Sequence, residues 1–275
     1  MKIKSMQVKI EQVLTLLRLV ESYADVEKNW RLIKESTRWS NRTFYHVAPA
    51  CQYLHLIEKA PPKWIRLTYY GEKLVSGSEE GKEKEVLGKI LLKWDESEYR
   101  IIKAFLSLYS KLDLYPSEPL ELSDLHSELE TFKVEVHISV LRDFIDNFYS
   151  FCQLVSVFSG KVSLNVRRLE QLESLKLFPT AEEISADAFF SHLYESYLLL
   201  LPRMGGIRSV PIPELRKLVC KRSALNVPPD VFDQKLITLP SEFRGKRISL
   251  TPPMERKAGG VFLGKAYYYY IAIYE

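Results

Sequence analysis

Apolar residues recur at helical intervals from the start of the chain. Ile10, Val13, Leu14, Leu17 and Val20 are three or four apart, with Glu11, Arg18 and Glu21 around them. That spacing predicts a first helix over about 9–23 with one buried stripe. Asp25 suits the cap of a short second helix through Glu35, with Val26, Trp30 and Ile33 inward. Ser36 to Trp39 reads as a turn, and Ser40 as the N-cap of a third helix whose Phe44, Val47, Cys51 and Leu54 share a buried face. Rotation of about 100° per residue then turns Arg42, His46 and Tyr53 outward, with Tyr45 beside them and Arg38 and Trp39 in the preceding turn. Pro49 removes one helical hydrogen bond and crowds the Tyr45 carbonyl, so it predicts a kink or a later helix start. Pro61-Pro62, flanked by Lys59 and Lys63, belongs at the tip of a hairpin because proline cannot donate to a ladder. Thr68 suits the cap of the helix that follows.

The same order of elements returns downstream. A charged connecting helix carries Val86, Leu87, Ile90, Leu91 and Trp94, and further helices are predicted over 99–109 and 139–152. Leu154–Phe158, Ser159-Gly160 and Lys161–Asn165 read as strand, tight turn, strand. A third round begins with an apolar helix over 187–201, then a helix opened by Pro213 and another by Pro228-Pro229-Asp230. It ends in strands over 247–251 and 265–274 around a long loop, residues 255–260 at its tip. The expected division is 1–77, 78–180 and 181–275.

Leu54, Leu56-Ile57-Glu58, the hairpin, Leu67-Thr68 and Gly71-Glu72 together resemble the winged helix-turn-helix superfamily. The resemblance implies an α+β, mainly helical chain of three tandem winged-helix modules with short hairpin wings. It also implies DNA binding and transcription regulation, the common role in that superfamily. Residues 40–165 resemble the tandem arrangement of the AAA-associated domain, found beside some transport ATPases, which implies architecture only.

Charge divides the chain unevenly. Residues 1–75 hold 13 Lys and Arg against 7 Asp and Glu, 76–180 hold 13 against 18, and 181–275 hold 13 against 10. Phosphate backbones attract the basic ends and repel the acidic middle. Double-stranded DNA is therefore the expected partner, contacted by Arg38, Trp39, Arg42, Tyr45, His46, Tyr53, Lys59 and Lys63 of the first module and by Arg256, Lys257 and Lys265 of the last. The alternative is an adaptor whose middle module meets a protein partner, such as an ATPase, through Asp143 and Asp146.

No catalytic chemistry is expected, a nuclease with scattered Asp, Glu and Lys ligands being the minority alternative. Gly-rich phosphate loops, nucleophile elbows and paired-carboxylate motifs are missing at their required spacings, and no cofactor is implied. His46, Cys51 and His55 lack the spacing of a metal site. Cys51, Cys152 and Cys220, odd in number and in apolar surroundings, suit core positions in a reducing cytoplasmic compartment. No run approaches the roughly 18 apolar residues that span a bilayer.

Overall fold

The computed structural model describes residues 7–24, 26, 29–60, 64–175, 177–204, 208–222, 227–253 and 259–274, without the side chains of 59, 60, 64, 203, 221 and 222. The chain is α+β and mainly helical, with small antiparallel sheets. It forms two compact units, Met1–Leu175 and Lys176–Glu275. Among the described residues no helix is long and apolar enough to cross a membrane.

The first unit opens with α1 (Ile10–Ser22), α2 (Trp30–Ser36), α3 (Asn41–Tyr53) and the hairpin β1 (Ile57–Ala60) and β2 (Trp64–Leu67). Leu16, Leu17 and Val20 of α1 close a core with Ile33, Phe44, Val47, Cys51 and Leu54. Val26, expected inward, is exposed, because α2 begins only at Trp30. α3 runs unbroken through Pro49. Pro49 lies on the exposed side, where the Tyr45 carbonyl it leaves unbonded can be hydrated.

Next come α4 (Tyr69–Glu79), α5 (Glu83–Trp94) with a π-helical turn over Asp95–Tyr99, and α6 (Ile101–Leu112). After these lie β3 (Leu120–Glu121), α7 (Leu122–Thr131), α8 (Ile138–Phe144) with a second π turn over Ile145–Tyr149, β4 (Val155–Phe158), β5 (Lys161–Leu164) and α9 (Val166–Ser174). The second unit contains α10 (Ala186–Leu200), β6 (Val210–Pro211), α11 (Ile212–Arg222), α12 (Pro229–Thr238), β7 (Glu242–Phe243), β8 (Lys246–Thr251), β9 (Val261–Leu263), β10 (Ala266–Tyr268) and β11 (Tyr270–Tyr274). The expected strand over 265–274 is thus divided: Lys265 sits in the β9–β10 turn, and the chain breaks at Tyr269 before β11. Cys51 and Cys152 are buried free thiols, Cys220 is half-buried, and burial pushes the first two thiols up.

One topology occurs twice. In α6–β3–α7–α8–β4–β5 the sheet order is β3-β5-β4, and in α10–β6–α11–α12–β8–β11 the matching order is β6-β11-β8. A tyrosine near the end of the first helix locks each copy. Tyr109 Oη donates to Glu118 O and accepts the Leu164 N–H. Tyr197 Oη donates to Arg208 O, at the matching distance ahead of β6, and reaches Ile273 O of β11.

The first helices of the chain follow the same path with a substitution. Where β3 and β6 pair with the last strand, the buried side chain of Asn29 pairs with β2: Nδ2 donates to Ile65 O at 2.8 Å and Oδ1 accepts the Ile65 N–H at 2.9 Å. A primary amide presents the donor and acceptor of a strand residue in one side chain. Nδ2 also donates to Tyr23 O at 3.2 Å, which ties the end of α1 to the sheet. Asn29→Ala is expected to cost about 2 kcal/mol, since it leaves buried backbone groups unpaired. Asn29→Asp should fare no better at neutral pH, because a carboxylate turns an acceptor toward Ile65 O; urea melts of the variants check both.

Candidate nucleic-acid interface

α2 and α3 meet at Thr37-Arg38-Trp39. Thr37 Oγ1 donates to Lys34 O at 2.8 Å and accepts the Trp39 N–H at 3.3 Å. Arg38 takes φ +53°, left-handed backbone that lets one helix end and the next begin with four residues between them. Such a conformation costs a non-glycine residue on the order of 1 kcal/mol. It places a cation at the apex of the turn. Ser40 Oγ then accepts the Thr43 N–H at 3.1 Å and starts α3.

α2 is held against α3 by Trp30, whose ring meets Phe44 edge-on at 4.9 Å. Its outer side carries Arg31 and Lys34. Lys34 Nζ lies 5.2 Å from the centre of the Tyr45 ring, and Arg31 Nε is 2.7 Å from Glu35 Oε1. An open cleft of about 550 Å³ borders Trp30, Arg31, Lys34, Arg38 and Trp39. Along α3 the open side shows Arg42, Tyr45, Pro49 and Gln52, with Tyr45 56% exposed. Arg38 and Arg42 are exposed and make no side-chain hydrogen bond or ion pair among the described residues. Basic and aromatic groups thus gather on one surface without acidic partners for the two arginines.

The expected site residues separate under this geometry. Arg38, half-buried Trp39, Arg42, Tyr45 and half-buried His46 come together. Tyr53 departs from them. Its ring lies 5.4 Å from Tyr99 and 6.2 Å from Phe144, and its hydroxyl is sealed without a hydrogen-bond partner among the described residues. Burial pushes that phenol up, with Glu98 adding to the effect. Lys59 lies on β1, its side chain outside the described residues, as are Lys63, Arg256 and Lys257 altogether. Lys265 is exposed in the β9–β10 turn of the second unit.

Lys34 and Arg31 joined the site only once α2 was placed. Trp30, Lys34 and Arg38 stand four apart in sequence, which is the signal that could have found the second cation.

The corresponding helices elsewhere carry different charge. α8 and its π turn show exposed Arg142 and Asp146 with half-buried Asp143. On α12, Asp233 is engaged by Arg216 at 2.6 Å. Among the described residues no group of three or more His, Cys, Asp or Glu side chains could hold a metal ion. The chain matches no family model, no curated protein and no solved structure.

Proposed function

We propose that the chain is a tandem winged-helix protein that binds double-stranded DNA without catalysis, in the manner of a transcription regulator or DNA-associated accessory factor. In this reading α3 is the recognition helix of the first module and the β1–β2 hairpin its wing. The observation that carries the reading is Arg38 and Arg42, exposed and unpaired among the described residues, with Lys34 beside them, at the start of α3, a helix that carries no acidic residue. A helix entering the major groove contacts DNA through its N-terminal residues, and the turn before it lies near the phosphates. Tyr45 and Trp39 add apolar and hydrogen-bonding surface there.

The test is a fluorescence titration of a labelled duplex across salt concentrations. Neutralising about four phosphates predicts a roughly hundredfold loss of affinity between about 50 and 200 mM salt. Affinity indifferent to salt contradicts the proposal.

A further inference from the structure

The middle of the chain has an open sheet edge. In the order β3-β5-β4, β4 has a neighbour on one side only among the described residues. The turn Ser159-Gly160, with φ of +49° and +80°, closes on the pair Phe158 and Lys161, and the ladder continues through Ser156 and Ser163. Alternation in an antiparallel ladder points the N–H and C=O of Phe158 and Ser156 toward β5, and those of Val155 and Val157 away from it. Val155 is only 2% exposed, so the open donor and acceptor of this edge are those of Val157. Val157 is 42% and Phe158 82% exposed at the end of this edge.

A cleft of about 500 Å³ follows the edge, bordered by Asp146, Ser150, Gln153, Val155 and Val157. Ser150 Oγ is sealed from solvent and has no hydrogen-bond partner among the described residues. Such a group costs about 1–3 kcal/mol unless something bonds it. Asp146 is exposed, and both Arg142, which attracts its charge, and Asp143, which repels it, lie near enough to act on it. In the second unit the matching edge is covered by a strand. There β8 occupies the place of β4, and its outer edge is paired by β7, with Glu242 opposite Arg247 and Phe243 opposite Lys246.

We infer that the outer edge of β4 receives an extended peptide segment bearing Lys or Arg, which adds a strand to the sheet and sets its cation against Asp146 and Asp143. The backbone of Val157 supplies the pairing. Side chains on one face of the incoming strand meet the cleft, and those on the other face meet solvent. The same two carboxylates oppose the phosphates of a nucleic acid. This surface shares no residue with the cleft beside Arg38, so its success or failure leaves the DNA reading untouched.

A selection of displayed random short peptides against the full chain tests the inference. Recovered peptides should alternate apolar β-branched residues with Lys or Arg. Val157→Pro removes the outward N–H while leaving the Phe158 and Ser156 ladder pairs, and should weaken the recovered peptides at least about tenfold. Asp143→Asn with Asp146→Asn should weaken them about tenfold. Hydrogen exchange at Val157 in the unmodified chain, slowed by bound peptide, reads the same contact without relying on the proline variant. The inference is overturned if no peptide is recovered, or if recovered peptides leave the Val157 amide exchanging as in the free protein. Recovered peptides without basic residues, or duplex DNA protecting this amide, would overturn it as well.

Discussion

Gly71→Ala is expected to destabilise the first unit by about 3 kcal/mol or more, the upper end of what overpacking costs. A Cβ at Gly71 would stand 2.1 Å from Leu56 O, a backbone atom that cannot swing aside as a side-chain tip can. That carbonyl is fixed because it accepts the Thr68 N–H at 3.0 Å. Thr68 in turn donates its hydroxyl to His55 O at 2.5 Å and accepts the Gly71 N–H at 3.1 Å. The Leu-Thr-x-x-Gly run thus records a close approach of the α4 N-terminus to the end of α3. Gly81→Ala is the comparison: its φ of +71° makes alanine strained, but nothing lies within 4 Å, so about 1 kcal/mol is expected. Urea denaturation of the two variants checks the difference. Equal losses would contradict the close-contact explanation.

Asp95→Ala is the second large effect, again about 3 kcal/mol. Asp95 is 4% exposed, and its carboxylate accepts the N–H groups of Ile101, Ile102 and Lys103 together with Tyr149 Oη. Three of the donors open α6 and the fourth closes the π turn after α8. One side chain therefore joins the end of α5 to two other helices, and its negative charge faces a helix N-terminus. Alanine would leave these donors in a space sealed by protein.

Burial pushes the Asp95 carboxyl up to about 6 from an ordinary 3.8, against the hydrogen bonds that pull it down. The folded state then binds the proton more tightly than the unfolded state. Its contribution to stability is full below 3.8 and is lost as pH rises through about 6. A shift of that size corresponds to roughly 3 kcal/mol. Relative to Asp95→Asn, which has no such proton, the native protein should gain stability as pH falls from neutral to about 4. Denaturant melts of both proteins across that range read the difference, and a flat difference contradicts the assignment.

Much of the helical framework was legible because each buried stripe repeats at three and four residues. The stretch from Ser40 to Thr68 appears in the structure as the capped helix, paired strands and capped exit that its residues suggest, with the expected Pro61-Pro62 tip outside the described residues. Short pieces were not legible for a physical reason. β3, β6 and β7 span two residues each, too few for alternation to register. Asn29 acts as a strand through a side chain, which no strand pattern can reveal. The buried set around the π turn at Ile145–Tyr149, which is Leu141, Phe144, Ile145, Phe148, Tyr149 and Cys152, keeps ordinary helical spacing, so periodicity does not reveal the turn.

The candidate site was legible in its cations and less so in its aromatics. Arg38 and Arg42 are exposed, as charged residues without partners tend to be. Tyr53 follows Arg42 by 11 residues, close to three helical turns, which explains its expected outward position. Tyr99 and Phe144 cover it from elements distant in sequence. Periodicity within one helix reports which residues share a face. It does not report what another helix brings to that face.

The most direct measurement is the salt dependence of duplex binding for the native chain and for Arg38→Ala with Arg42→Ala. The proposed role of α3 predicts weaker binding by the double variant at low salt, and a log–log salt slope shallower by about two, one for each phosphate contact removed. Unchanged affinity and slope, with the fold intact by circular dichroism, would contradict DNA recognition through this helix.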